Sequence, residues 1–309
     1  MSRALIFGVG GFVGRYLTQE LQAHGYTVSG SDLLESCSLP GNAEYYKANI
    51  LDAEEVRSLV GQLSPDVIVD LAAISSVGAS WNIPQMTMAV NVYGSLNVIE
   101  AARQLSPMPK ILFIGSSEEY EASDEPMNEE QSLNANNPYG ISKMAQERFA
   151  ELYRIKYGMQ IYCVRPFNHT GIGQKDTFVL PSFCKQAAEI EKSGQAGVIR
   201  VGNLAARRDF SDVRDVVRAY RMILEQGDCS RIYNVGSGKA YSLQELLEYI
   251  ISLSNQDIQI EVDPERFRPI DTPVICCDAG RIREELGWQP EYSIFDTVRG
   301  LYESYLSTL

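Results

Sequence analysis

Ala4-Leu5-Ile6-Phe7-Gly8-Val9-Gly10-Gly11-Phe12-Val13-Gly14 is the stretch that decides the fold. A short apolar run ends in glycine, and glycines then fall at 8, 11 and 14. That spacing lets a backbone approach a pyrophosphate and lets the next helix pack close to the strand, its N-terminus facing the negative charge. Glycines also mark ordinary turns, so the context matters. Phe12, Leu17, Leu21 and Ala23 recur at helical spacing until His24-Gly25. Residues 26–32 read as a second strand ending in Asp32, 18 residues after Gly14. Strand, turn, helix, strand makes a right-handed parallel crossover. The expected dinucleotide contacts are Gly8, Gly11, Phe12, Val13 and Gly14 at the diphosphate and Asp32 at the adenosine ribose, with Asn49 and Ile50 bordering the adenine.

Working outward, the alternation continues. Residues 52–63 read as a helix opened by Asp52-Ala53-Glu54-Glu55, and 66–71 as a central strand. A long amphipathic helix follows at 88–104, a strand at 110–115, a helix at 138–156 entered through Asn136-Asn137-Pro138, and a strand at 160–165. This is the pattern of a doubly wound sheet covered on both faces. Past residue 166 it changes: a polar loop at 166–176, a helix at 177–192, and a charged turn at 207–210 before a helix at 211–226. Strands at 231–235 and 258–262, a capped helix at 242–252, a short helix ending at Trp288 and a last one at 294–306 complete the chain. The expected class is α/β. A Rossmann-like doubly wound parallel sheet occupies residues 1–165, and a smaller mixed α/β substrate lobe occupies 166–309, with some of its segments returning to the first domain.

The chain has 309 residues and a net charge of -13, from 27 Lys and Arg against 40 Asp and Glu. Nucleic-acid backbone binding wants concentrated basic residues, so that partner class is excluded. An anionic small substrate instead needs a few local arginines set against the global field. No apolar run approaches the 18 or more residues of a membrane span, and no cleavable apolar segment opens the chain, which points to the cytoplasm. Six cysteines lack the spacing of a zinc site, Cys276 and Cys277 being adjacent, so no metal is expected.

Tyr139 and Lys143 stand four apart at the start of a helix, on one face. A tyrosine hydroxyl there can protonate a developing alkoxide, while a lysine ammonium lowers the phenol pKa and holds a cofactor ribose. The spacing alone is common on helix surfaces. Ser116-Ser117 at the C-terminal end of a strand adds weight, because ligands bind at that edge of a parallel sheet. The reading assigns Ser117 to share a carbonyl oxygen with Tyr139.

Gly8-x-x-Gly11-x-x-Gly14, Leu71-Ala72-Ala73, Asn91-Val92-x-Gly94, Ser117, Tyr139-x-x-x-Lys143 and Arg165-Pro166-Phe167-Asn168 together resemble the extended short-chain dehydrogenase/reductases that act on nucleotide sugars, over nearly the whole chain. The resemblance implies an NAD(P)H-dependent reduction of a GDP-linked 4-keto-6-deoxy sugar at C4. It implies Ser117, Tyr139 and Lys143 as the catalytic set, and Leu71, Ala72, Ala73, Asn91 and Pro166 as further cofactor contacts. For the substrate it implies Ser76, Ser117, Glu118, Asn168, Phe178 and Val179, with Arg208 and Arg268 gripping the diphosphate. It also implies a homodimer, formed through the helix at 88–104 and the helix carrying Tyr139. Two alternatives stay open. A 4,6-dehydratase places an acid two residues after its catalytic Ser or Thr to remove the C5 proton, which on this numbering is Glu119; a 4-epimerase would interconvert two nucleotide sugars. Two departures from the family pattern are Glu121-Ala122, where Tyr-Gly is usual, and Gly171-Ile172-Gly173, where Gly-Pro-Gly is. Asp32, with no arginine soon after it, favours NADH over NADPH.

Overall fold

The structure is a computed structural model and describes residues 2–267 and 272–308. The apolar run becomes strand β1 (Arg3–Phe7), the glycine turn leads into helix α1 (Phe12–Ala23), and β2 (Thr27–Asp32) lies parallel to β1. A strand not foreseen, β3 (Glu44–Lys47), pairs with β2. Helix α2 (Ala53–Leu63) is capped by Asp52, whose carboxylate accepts from Glu54 N and Glu55 N. Then come β4 (Val67–Asp70), short helices α3 (Val77–Asn82) and α4 (Pro84–Met88), a π turn over Ala89–Gly94, and α5 (Ser95–Ala102). The single helix expected at 88–104 therefore starts earlier and is broken. Its π turn carries Asn91, whose amide is held by the segment after β4 rather than by the helix ladder. Strand β5 (Lys110–Ile114), helix α6 (Pro138–Tyr157) and strand β6 (Ile161–Pro166) follow.

In the second half the expected helices and the strands at 231–235 and 258–262 are present within two residues, and the departures are small strands. The loop at 166–176 contains strand β7 (Asn168–Thr170), followed by α7 (Val179–Ser193) and β8 (Gly197–Val201). The charged turn expected at 207–210 is instead strand β9 (Arg207–Asp212), and helix α8 (Val213–Gln226) begins after it. The charges of β9 mislead because Asp209 is buried, accepting from the backbone N–H groups of Ser237, Gly238 and Cys277. Buried polar groups are tolerated where hydrogen bonds answer them. Strand β10 (Ile232–Val235), β11 (Ala240–Ser242), α9 (Leu243–Ser252), β12 (Ile258–Val262), β13 (Val274–Ile275), α10 (Gly280–Leu286) and α11 (Ile294–Thr308) end the chain.

Seven parallel strands in the order β10-β6-β5-β4-β1-β2-β3 form the main sheet among the described residues. Both faces are covered. Ala4 and Ile6 of β1 belong to one core and Leu5 and Phe7 to the other, which is why the strand reads as continuous apolar rather than alternating. Residues of α8 and α10 and strand β10 complete the first of these cores, so the second half of the chain supplies part of the first half's sheet and cover. A third core, including Leu180, Phe183, Ile199, Phe210, Leu246 and Leu301, lies among α7, α9, α11, β8 and β9. Trp288 is fully buried, its indole donating to Asp215 O at 3.1 Å.

Candidate active site

The C-terminal ends of β1, β4, β5 and β6 bring the expected residues to one edge. Gly8 adopts φ +76°, and a Cβ there would lie 2.6 Å from Ala72 N, so only glycine lets the turn after β1 approach the segment after β4. Helix α1 then opens at Gly11 with no side-chain cap and no acid in its first turn. Helices α2, α6 and α9, by contrast, are capped by Asp52, Asn137 and Ser242. An uncapped start, with the N–H groups of Phe12, Val13 and Gly14 outside the helix ladder, fits a diphosphate. Asp32 lies beside it, its carboxylate accepting from Gly10 N at 3.1 Å and Leu33 N at 2.7 Å. Exposed Leu33 and Leu34 follow, an apolar surface at the adenosine end that the sequence reading did not use.

The remaining residues expected at the cofactor differ in exposure. Leu71, Ala72 and Ala73 are half-buried along the segment after β4, and Asn49 is half-buried after β3. Ile50 is buried at Gly94, and its carbonyl accepts from Asn97. Pro166 is buried at the end of β6. Asn91 corrects the expectation of a direct contact. It is fully buried, donating to Ile74 O and Ser142 Oγ and accepting from Ile74 N, so both amide donors are taken within the protein. It ties the segment after β4 to helix α6.

The serine turn corrects a second expectation. Ser117–Glu119 form one 3-10 turn after β5, closed at both ends by a capping box: Ser116 Oγ accepts from Glu118 N at 3.1 Å, and Glu119 Oε1 accepts from Ser116 N at 2.6 Å. Helix α6 packs its first turn directly on this one, since a Cβ at Gly140 would lie 2.4 Å from Glu118 O. Of the two serines, Ser116 is the one whose hydroxyl acts on the Tyr139 phenol, pulling its pKa down. Counting from Ser116, the acid two residues on is Glu118. Tyr120, just before the Glu121-Ala122 departure, is buried, accepting from Arg165 Nη1 and donating to Asn234 Oδ1. Two adjacent serines gave spacing no means to choose.

Glu119 is likewise placed elsewhere than expected. It is fully buried, tied to Ser116 N, with Oε2 3.7 Å from Arg165, whose guanidinium also grips Glu147 at 2.5 Å. Burial, and then Glu147, push its carboxyl above the usual range. It lies under the serine turn, Oε1 closing that turn and Oε2 buried with no hydrogen-bond partner among the described residues. Glu118 is half-buried, its Oε2 accepting from Asn137 Nδ2 at 2.9 Å, and Asn137 caps the helix of Tyr139.

Burial pushes the Tyr139 phenol far above its usual range, and the Ser116 hydrogen bond pulls against that. Lys143 is 2% exposed, with Nζ 6.0 Å from the Tyr139 ring centroid and bonded to Gln146 Oε1 at 3.1 Å. Burial draws its pKa down; Asp70 and Glu119 draw it up. Towards the second half, Asn168 sits half-buried in β7, Phe178 is the N-cap of α7 and Val179 its first residue. Ser76 caps α3, its Oγ accepting from Ala79 N. His169 stacks on Phe12, ring centroids 6.4 Å apart, joining the glycine-turn helix to the Asn168 loop. Arg208 is buried in β9 and donates to Arg207 O and Pro273 O. Arg268 lies outside the described residues.

A parallel Rossmann-type sheet with an uncapped glycine turn, and a serine, tyrosine and lysine gathered at its C-terminal edge, is the arrangement of an NAD(P)-dependent short-chain dehydrogenase/reductase. The chain belongs to the GDP-mannose 4,6-dehydratase family, whose model matches residues 5–301. It is 31% identical to GDP-6-deoxy-D-mannose reductase of Pseudomonas aeruginosa, over 99% of this chain and 97% of that protein. It is 28% identical to GDP-mannose 4,6-dehydratase of Sinorhizobium fredii, over 99% and 97%. The structure of RMD from Pseudomonas aeruginosa complexed with NADPH superposes with a TM-score of 0.88 at 30% identity, covering 100% of each chain. The protein is thus an NAD(P)-dependent enzyme acting on a nucleotide sugar. Among the described residues, no helix is long and apolar enough to cross a membrane.

Proposed function

We propose that the chain reduces the C4 ketone of GDP-4-dehydro-6-deoxy-D-mannose to GDP-D-rhamnose. The observation that carries this reading is the buried Tyr139 phenol with Ser116 acting on it and Lys143 Nζ 6.0 Å from its ring, in a sheet whose glycine turn leads into an uncapped helix. The similarity to a named reductase supports the sugar. The reduced nicotinamide, when bound, supplies the hydride. Ser116 and Tyr139 donate hydrogen bonds to the ketone oxygen, and Tyr139 delivers the proton to O4 as negative charge develops there. Lys143 holds the ribose and supplies positive charge to the site. Glu118, Asn168, Phe178, Val179 and Ser76 are assigned to the sugar and nucleotide, and Arg208 with Arg268 to the diphosphate, where guanidinium forks suit phosphate oxygens in an otherwise acidic protein. The test is mass spectrometry and proton NMR of products from the GDP-4-keto sugar, with NADH oxidation followed in parallel. No reduction of that sugar overturns the reading.

A second reading rests on Glu118. With Ser116 as the serine, a half-buried carboxylate stands where a 4,6-dehydratase would place its C5 base. In a reductase, Glu118→Gln lowers 4-keto sugar turnover by only a few-fold, about 1 kcal/mol for one lost orienting contact. If wild type converts GDP-mannose to the 4-keto sugar with no net NADH oxidation, and Glu118→Gln abolishes that conversion, the enzyme is a dehydratase.

The cofactor preference is proposed from Asp32. A ribose 2′-hydroxyl can donate to this carboxylate, whereas a 2′-phosphate meets like charge. Lys47, its register partner across β2 and β3, is engaged by Glu35 at 2.5 Å. The expected result is a higher kcat/KM for NADH than NADPH at matched ionic strength. Asp32→Ala should cut that ratio about ten-fold, the effect of roughly 1.4 kcal/mol at a partly screened site. A wild-type preference for NADPH removes Asp32 from the role.

The homodimer is proposed on similar terms. Ile141, Phe149, Leu152 and Ile155 recur on one exposed stripe of α6, and Met86 and Tyr93 are exposed on the preceding helices. Sedimentation at micromolar concentration should give about twice the 34.4 kDa chain mass. A monomer there overturns the proposal.

A further inference from the structure

A buried carboxylate that none of these steps uses is linked to Lys143 through two side chains. Asp70 ends β4 at 1% exposure, accepting from Ala72 N at 3.1 Å through Oδ1 and from Ser95 Oγ at 2.8 Å through Oδ2. Ser95 Oγ in turn accepts from Gln146 Nε2 at 2.5 Å, and Gln146 Oε1 accepts from Lys143 Nζ at 3.1 Å. The donors all point one way, from ammonium to carboxylate. The Ser95 hydroxyl has one proton and a second acceptor, Asn91 O, at 3.0 Å. The charged oxygen makes the stronger bond and takes it. Ser95 and Gln146 are both buried, so water does not screen the chain.

Four groups act on or face Lys143: Asp70 from β4, Glu119 from the turn after β5, Cys163 from β6 and Tyr139 from its own helix. Burial and then Glu147 push Glu119 up to about 8, so it is largely uncharged at neutral pH, and burial pushes the Cys163 thiol up to about 12, leaving it neutral. Burial pushes Asp70 up to about 6, with Lys143 and then Ser95 pulling it back, so it is ionised at neutral pH. Among the described residues, Lys143 is the one cation acting on it. A lysine this buried loses its proton readily unless a counter-charge holds it.

We propose that Asp70 is a positioning residue that, through Ser95 and Gln146, keeps the Lys143 ammonium charged and fixed where Tyr139 and the cofactor ribose meet it. This rests on the reading of Lys143 given above and goes beyond it in assigning what holds that lysine.

The experiment measures NADH affinity by fluorescence from pH 6 to 10 in wild type, Lys143→Met, Asp70→Asn and Ser95→Ala, with melting temperatures recorded. Wild type should lose affinity at alkaline pH as Lys143 deprotonates, and Lys143→Met should bind weakly with no such limb. Asp70→Asn should move the limb down by about one to two pH units, and Ser95→Ala by less. A folded Asp70→Asn whose limb coincides with wild type overturns the inference. If Asp70→Asn does not fold, a wild-type limb in Ser95→Ala overturns it instead. Lys143→Met binding as wild type does at every pH overturns the role of Lys143 and the inference together. The binding curves need no sugar, so a wild type that binds NADH yet fails to reduce the 4-keto sugar sinks the proposed reaction and leaves this test in force.

Discussion

Tyr139→Phe should lower turnover of the 4-keto sugar by about a hundred- to ten-thousand-fold, the range for losing a positioned proton donor, while NADH affinity changes little. The size of the effect follows from where the phenol sits. Tyr139 is nearly buried at the first turn of α6, and burial keeps its hydroxyl protonated far above neutral pH. A phenol in that state is a reservoir of one proton at a fixed point. Hydride addition turns the ketone oxygen into an alkoxide, a far stronger base than the ketone, so transfer from the phenol becomes favourable only as the reaction proceeds. That contact grows in the transition state, so its loss falls on kcat rather than on binding. Phenylalanine fills the same space, so the fold is not the variable; matched melting temperatures verify that. Turnover within a few-fold of wild type takes Tyr139 out of the chemistry.

The first half of the fold was legible because each of its signals is local. The strand before Gly8, the Asp52 box and the Asn136-Asn137-Pro138 entry to α6 each state their element within a few residues, and the observed bounds follow them closely. In the second half the helices at 177–192, 211–226, 242–252 and 294–306 and the strands at 231–235 and 258–262 also lie within two residues of those observed, whereas the small strands set by tertiary pairing were not legible. Arg207–Asp212 carries four charged residues, yet it is a strand between β11 and β13 because backbone donors from distant segments satisfy Asp209. The site was legible as residue types and only partly as identities. Tyr139 and Lys143 come from one helix and fix each other by spacing. The serine comes from a turn whose hand is set by the Ser116–Glu119 capping box, a geometry no spacing rule contains. Asp70 was visible as an acid closing an apolar strand, but its partners Ser95 and Gln146 stand 25 and 76 residues further along the chain and meet it only in space.

Ser116→Ala and Ser117→Ala, adjacent in sequence, should differ in effect by about a hundred-fold or more, which makes the pair the sharpest test of the site's geometry. Ser116 is the serine that acts on the Tyr139 phenol, so in the bound state its hydroxyl is the one expected to share the ketone oxygen with Tyr139. Removing one donor to a developing oxyanion lowers kcat by about a hundred- to a thousand-fold. The same oxygen accepts from Glu118 N at 3.1 Å, a cap whose loss costs about 1 kcal/mol. Ser116→Ala should therefore also melt somewhat lower, and Ser116→Thr should restore part of both effects. Ser117 contributes its backbone carbonyl to Tyr120 N, which alanine retains. Its hydroxyl makes no hydrogen bond to a described residue, so Ser117→Ala should stay within a few-fold of wild type. The two outcomes separate chemistry from scaffolding: a fall in kcat larger than the drop in stability belongs to the reaction, and one that tracks melting belongs to the turn. Should Ser117→Ala instead prove the severe variant, the serine turn must rotate when the nucleotide sugar binds, and the acid two residues on would again be Glu119.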